Sequence, residues 1–171
     1  MNRLSTKKLI MTALLMALTM IATMFIRIPL ALGYVNLGDA FVLISVFLLG
    51  PLWGTIAGGV GSGLADVFGY ITYAPGTLVI KSVMAILAYL VGKGLLKVTK
   101  NNLFSEIVAG IVGAVVMAFG YFFYEMAFFA TAGVAIANVP WNLLQGGVGV
   151  VIFVVVMRVL STTKLIDKLK E

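Results

Sequence analysis

The feature that most constrains this chain is the stretch from Ala40 to Ala65, which carries no ionisable side chain in 26 residues. A helix needs roughly 17–25 apolar residues to cross the hydrocarbon core of a bilayer. Further apolar runs cover Leu9 to Ile26, Leu78 to Val91, Ile107 to Met126 and Pro140 to Val159. With 62% hydrophobic residues, 11% charged residues and a mean hydropathy of +1.15, the chain is too apolar for a soluble domain. It reads as an all-α integral membrane protein.

Charge placement sets the expected number of crossings. Nine of the twelve basic residues fall in three clusters: Arg3, Lys7 and Lys8; Lys93, Lys97 and Lys100; Lys164, Lys168 and Lys170. Cytoplasmic segments of membrane proteins are enriched in Lys and Arg, so all three clusters belong on the inside. Treating Ala40 to Ala65 as one span gives five crossings and sends the last two clusters outward. Gly50-Pro51 lies at the middle of that stretch, and proline disfavours helix at the residue before it. A hairpin there gives six crossings with both termini cytoplasmic. The expected helices are approximately 9–26, 38–49, 52–67, 76–91, 106–126 and 140–160, in a single domain spanning 1–171. A cleaved signal peptide is the lesser reading of the first run, although Ala31-Leu32-Gly33 has small residues at suitable spacing.

The outer connections are then Arg27 to Asp39, Asp66 to Gly76 and Glu125 to Pro140, and the first is long and apolar enough to fold back over the mouth of the bundle. The inner ones are a Gly-Pro turn and the lysine-rich Gly92 to Asn102. This asymmetry places recognition outside and a basic, lipid- or partner-facing surface inside.

Lys81 sits within the fourth helix, one to two turns below the outer surface. A charge at that depth costs several kcal/mol unless paired or hydrated. Tyr121, Tyr124 and Glu125 share one face of helix five, and Asn142 and Gln145 share one face of helix six. Asp39 and Asp66 border the same level. Polar groups converging beside aromatic rings suit a small, flat, polar ligand. Three alternatives for Lys81 stay open at this point: contact with a ligand or gate, snorkelling along its stem, or pairing with Glu125 or Asp66. Glu125 and Asp66 also fit an interfacial location, Asn142 and Gln145 fit interhelical hydrogen bonding, and Tyr70, Tyr73, Tyr124 and Trp141 fit an aromatic belt.

Small residues recur at four-residue spacing: Ala13 with Ala17, Gly54 with Gly58, and Gly59 with Gly63. Such pairs allow close helix packing in lipid, within this bundle or against another protein. The chain has no His and no Cys, which removes disulfides, thiolate and imidazole metal sites and His-dependent nucleophile arrangements. No phosphate-binding loop of the G-x-x-x-x-G-K-[ST] type is present, and no acidic relay of a self-sufficient transporter is evident. A binder without an engine needs a partner to do work.

These features together resemble the substrate-binding S components of energy-coupling factor (ECF) transporters: six helices, both ends inside, Ala13 and Ala17 in helix one, a long first outer loop and a basic inner face. The segment from Tyr34 to Tyr70, with Asn36-Leu37-Gly38-Asp39, the Gly50-Pro51 turn and the Gly-rich run ending at Asp66, followed by Thr77 and Lys81, is similar to the subfamily associated with hydroxymethylpyrimidine and pyridoxine. The resemblance implies a multi-pass protein of the bacterial cytoplasmic membrane that captures a vitamin from outside, the first outer loop closing over it. It implies partners too: a transmembrane T component docking at Ala13 and Ala17, and two cytoplasmic ATPases, with the S component toppling to release its cargo. It assigns substrate contacts to Asn36, Lys81, Tyr121, Glu125, Asn142 and Gln145. Asp39, as a further acceptor, and Tyr124 complete the expected site. No cofactor, metal, nucleic-acid partner or enzymatic activity is expected. A stand-alone permease or homo-oligomeric channel is the alternative.

Overall fold

The computed structural model describes residues 6–29, 34–129 and 131–163. Arg3, Lys164, Lys168, Lys170 and the Ala31-Leu32-Gly33 motif lie outside them. The elements are α1 (Thr6–Phe25), β1 (Arg27–Pro29), β2 (Tyr34–Asn36), α2 (Gly38–Thr55), a π-helical stretch (Ile56–Val60), α3 (Gly61–Val67), α4 (Ala74–Thr99), α5 (Asn102–Phe128) and α6 (Ala132–Thr162). Among the described residues, five helical stretches are long and apolar enough to cross a membrane, with Gly38–Val67 taken as one.

That stretch does not run straight. Gly50 has φ 84° and ψ 177°, a conformation that L-residues with a side chain rarely adopt. Beyond it the chain doubles back. A Cβ on Gly54 would stand 2.5 Å from the Ser45 carbonyl oxygen, and one on Gly58 would stand 3.1 Å from Val42 Cα. In a continuous helix, positions 42 and 58 would be about 24 Å apart. Pro51 opens the returning limb, where its fixed φ suits a first turn and its missing N–H is not needed. The π-helical stretch then lets consecutive glycines face different neighbours: Gly58 meets Val42, while Gly59 meets Ser82 of α4.

The bundle has an apolar core, polar groups within it and an apolar exterior. The first limb of α2 is the central element, with Val42, Leu43, Ile44 and Val46 all buried, and α1, α4 and α6 pack around it. The interior also holds Asp39, Asp66, Lys81, Glu125, Asn138 and Gln145, while Ile10, Phe25, Val79, Phe123, Leu144 and Val151 are exposed. That distribution is what lipid requires, since apolar side chains gain nothing by leaving hydrocarbon and polar ones must find each other. On α1 the inward face is Thr12, Leu15, Thr19, Ala22 and Thr23; the hydroxyls of Thr12 and Thr19 donate back to the carbonyls of Lys8 and Leu15 at 2.8 Å. Ala13 and Ala17 are exposed on the opposite face, so they contribute nothing to the packing of this bundle.

Three boundaries depart from the sequence expectation. First, α4 continues to Thr99, so Lys93 and Lys97 are helical and the inner connection shrinks to Lys100 and Asn101. Lys100 takes a left-handed φ of 53° that ends α4, and the Asn101 side chain accepts from Phe104 N at 3.0 Å to start α5. Second, α6 starts eight residues before Pro140, so what reads as a 16-residue outer connection is mostly helix. Water is absent from the hydrocarbon region, so membrane-buried backbone stays helical even across a proline. Third, the first outer connection contains an antiparallel pair, β1 with β2, in which Arg27 faces Asn36 and Pro29 faces Tyr34. Periodicity gave no warning of strands this short.

Glycine positions give a direct test of the hairpin. Gly54→Ala forces a methyl into the backbone of the opposite limb and should lower stability by about 2–3 kcal/mol. Gly147, whose Cβ would meet nothing within 4 Å, should tolerate alanine with a change within about 0.5 kcal/mol. Thermal unfolding of both variants in detergent compares the two, and equal effects would mean that the limbs are not in contact.

Candidate functional site

Six buried polar residues, Asn36, Asp39, Asp66, Thr77, Lys81 and Gln145, join one network beside β1 and β2. Lys81, on α4, is fully buried and its ammonium pairs with Asp39 Oδ1. Asp39 belongs to the first turn of α2, where the helix dipole favours an anion. Its other oxygen accepts from Gln145 Nε2 of α6 at 2.6 Å. Gln145 Oε1 in turn accepts from the backbone N–H of Asn36 at 2.7 Å, and Asn36 Oδ1 accepts from Gly38 N at 2.7 Å. Thus β2, α2, α4 and α6 meet at one ion pair. Snorkelling is excluded for Lys81, and its partner is Asp39 rather than Glu125 or Asp66.

Tyr121 forms the next layer. Its ring centroid lies 5.4 Å from Lys81 Nζ, and its hydroxyl is 2.9 Å from Thr77 Oγ1. Thr77 donates to Asp66 Oδ2 at 2.5 Å, and the Tyr34 hydroxyl donates to Asp66 Oδ1. Burial, then the charge of Asp66, hold the Tyr34 hydroxyl far above its ordinary pKa, so it stays a donor. Arg27 reaches from β1 to the Ala65 carbonyl at 2.9 Å, with its guanidinium 4.5 Å from the Tyr34 ring centroid and 5.5 Å from that of Tyr70. These contacts give the Arg27 guanidinium its partners at the end of the bundle where β1 and β2 lie.

A second polar cluster joins α5 to α6. Glu125 accepts from Asn138 Nδ2 at 3.1 and 3.2 Å, and from the Tyr73 hydroxyl at 3.4 Å. Tyr73 spans the two clusters, its ring 6.4 Å from that of Tyr121 and stacked 5.2 Å from Phe129. Glu125 and Asp66 are each 2% exposed, so both are enclosed by protein. Tyr73 is likewise buried, whereas Trp141 is half exposed, as a belt residue would be. Tyr124 packs on Gly76, and its hydroxyl donates to the Thr72 carbonyl at 2.7 Å, pinning the connection before α4 to α5.

Of the residues expected from sequence, Asn36, Asp39, Lys81, Tyr121 and Gln145 are joined directly or through a ring, and Glu125 belongs to the neighbouring cluster. Asn142 is buried between Asn138 and Gln145 on the same face of α6, and among the described residues its side chain makes no hydrogen bond. The structure adds Tyr34, Asp66, Tyr73, Thr77 and Asn138. Asn138 stands four residues before Asn142, a helical spacing that the reading of Glu125 to Pro140 as a loop concealed. Beside Asn36 and Gln145 lies a cavity of about 110 Å³, walled by Ile28, Val35, Leu144 and Val148. Among the described residues there is no cluster of acidic side chains fit for a metal ion.

Comparison with known proteins agrees with this architecture. A solved structure of the S component of a bacterial ECF transporter superposes with a TM-score of 0.70, covering 94% of this chain and 98% of that one at 21% identity, a likeness of fold. A protein from Pyrococcus woesei described only as an uncharacterized protein in a gap 3' region is 37% identical over 135 residues, 77% of this chain and 86% of its own length. A family model described as the ECF-type riboflavin transporter, S component, matches residues 3–162. The chain therefore belongs to the S components of ECF transporters, the substrate-binding membrane subunits of these transporters.

Proposed function

We propose that this chain captures a flat heteroaromatic vitamin at the outer side of the plasma membrane and delivers it through a T component and two ATPases. Both limbs of Gly38–Val67 count as crossings in this reading, giving six, with both termini cytoplasmic. At 1.5 Å per residue the limb Gly38–Leu49 is only roughly 18 Å long, but β2 and Asn36 cover its outer end, so it need not reach the surface. The arrangement keeps the Lys93, Lys97 and Lys100 cluster on the cytoplasmic side.

The observation that carries the reading is the convergence of Asn36, Asp39, Lys81, Tyr121 and Gln145 from five elements, beside an apolar cavity. These side chains bond to each other, so a ligand exchanges its own donors and acceptors for theirs as the outer elements part around it. Asn142, which lacks such a bond, is ready to offer one. The first candidate ligand is riboflavin. Its family description supports that choice, and so do two polar clusters flanking Tyr73 and Tyr121, which match a ring with a hydrogen-bonding edge and a polyhydroxyl tail. Hydroxymethylpyrimidine or pyridoxine is the second reading, carried by the resemblance of the Tyr34 to Lys81 segment.

Native mass spectrometry of the detergent-purified protein, titrated with riboflavin, pyridoxine, hydroxymethylpyrimidine and thiamine, should give a 1:1 complex with one of them. A folded protein that ignores all four would favour the channel reading. Lys81→Met should cost about 3–5 kcal/mol of stability by leaving the Asp39 charge buried without a cation. Adding Asp39→Asn should recover much of that loss, while vitamin affinity remains lost in both variants; a single variant as stable as the parent would remove the ion pair from its central place. Valine at Ala13 and Ala17 should spare vitamin binding, because both positions are exposed, yet block co-purification with the T component. Unimpaired assembly would place the docking face elsewhere.

A further inference from the structure

We infer that Asp66 is a positioning residue that latches the first outer strand pair to the aromatic wall of the site, and that this latch sets how long a captured ligand stays. The inference rests on the capture reading above and adds to it a residue that contacts no proposed ligand group directly. Asp66 is buried at the end of α3 and accepts from two sides: the Tyr34 hydroxyl of β2 on Oδ1, and Thr77 of α4 on Oδ2 at 2.5 Å. Thr77 has one hydroxyl hydrogen. Given to Asp66, it cannot also go to Tyr121, so across the 2.9 Å contact the Tyr121 hydroxyl donates to Thr77. The polarity of the whole chain is thereby fixed: Tyr34 and Thr77 donate to Asp66, and Tyr121 donates to Thr77.

Two consequences follow. The Tyr121 hydroxyl has committed its hydrogen, so to any other group it presents only lone pairs, while its ring faces Lys81. Moreover, β2 cannot lift away without breaking a charge-assisted hydrogen bond to a buried carboxylate. The strand pair has further anchors: Arg27 bonds the Ala65 carbonyl, one residue before Asp66, and packs against the rings of Tyr34 and Tyr70, which are themselves 4.6 Å apart. The remaining anchor, Asn36 to Gln145, is made by residues of the proposed site and changes when ligand enters. Asp66 therefore supplies closure that does not depend on ligand contacts, and it acts on dissociation more than on association.

The chain contains no cysteine, so a single Val35→Cys substitution reports opening of β2 cleanly; Val35 is 8% exposed. Maleimide labelling of the introduced thiol in the ligand-free protein should accelerate at least tenfold in the Tyr34→Phe and Asp66→Asn backgrounds, and stay within twofold with Thr99→Ala, at the far end of α4. Tyr34→Phe removes one hydroxyl alone, so it keeps the test decisive if Asp66→Asn does not fold. Unchanged labelling in Tyr34→Phe would overturn the latch, whether or not any vitamin binds. With riboflavin, stopped-flow measurement should show dissociation at least tenfold faster in both variants and association within twofold of the parent. An unchanged dissociation rate would overturn the claim on residence time. Absence of riboflavin binding by the parent protein would instead count against the ligand reading and leave the labelling result to decide the latch.

Discussion

The arrangement of the whole bundle depends on one buried ion pair, Lys81 with Asp39. Neither charge has access to water, and each would be prohibitively costly alone in hydrocarbon surroundings. Their mutual position fixes where the first turn of α2 meets the N-terminal third of α4. Gln145 satisfies the second carboxylate oxygen and so draws α6 to the same point. Through the Asn36 backbone, β2 is drawn there as well. Apolar contacts in a membrane discriminate poorly between one helix rotation and another, because lipid tails compete on equal terms. A directional polar centre supplies the discrimination.

Around that centre, small residues decide how near the helices come. Gly54 and Gly58 close the α2 hairpin, Gly59 and Gly63 seat the returning limb against α4, and Gly61 admits α1 to within contact of Met16 and Thr19. Ala13 and Ala17 have the same spacing and no such function, since they face away from the bundle. The same motif thus stands in two settings in one chain. On the glycines it is consumed by intramolecular packing, and on α1 it faces away from the bundle.

Much of this was legible in the sequence. The placement of the hairpin at Gly50-Pro51 followed from charge placement together with the backbone limits of the residue before proline. Depth along the helices brought Lys81, Tyr121 and Gln145 to one level. What sequence missed has physical causes. Helix ends in lipid are set by the absence of alternative hydrogen-bond partners, not by propensity, so Pro140 and the lysines after Gly92 misled the boundaries. Sequence offers Glu125 and Asp66 as partners for Lys81, because Asp39 reads as a helix-entry residue; it is buried where Lys81 of α4 and Gln145 and Gly149 of α6 close around it. Strands of three residues carry no usable periodicity, and without β2 the donor Tyr34 and the acceptor Asp66 have no reason to be paired.

A site built this way has a particular energetic character. Nearly every polar group in it already has a partner within the protein, so a ligand's hydrogen bonds replace existing ones and each contributes little net free energy. On the capture reading proposed above, affinity comes largely from burial of the ligand's flat faces against Tyr73 and Tyr121 and from the closure of β1 and β2 over them. Specificity has a different source. A ligand that breaks the Asp39–Gln145–Asn36 chain without offering equivalent donors and acceptors leaves a buried carboxylate or amide unpaired, at about 1–3 kcal/mol for each such group. Selection by that penalty does not require a preformed cavity of the ligand's size, and it lets a small bundle hold its shape when empty while rejecting compounds that merely fit.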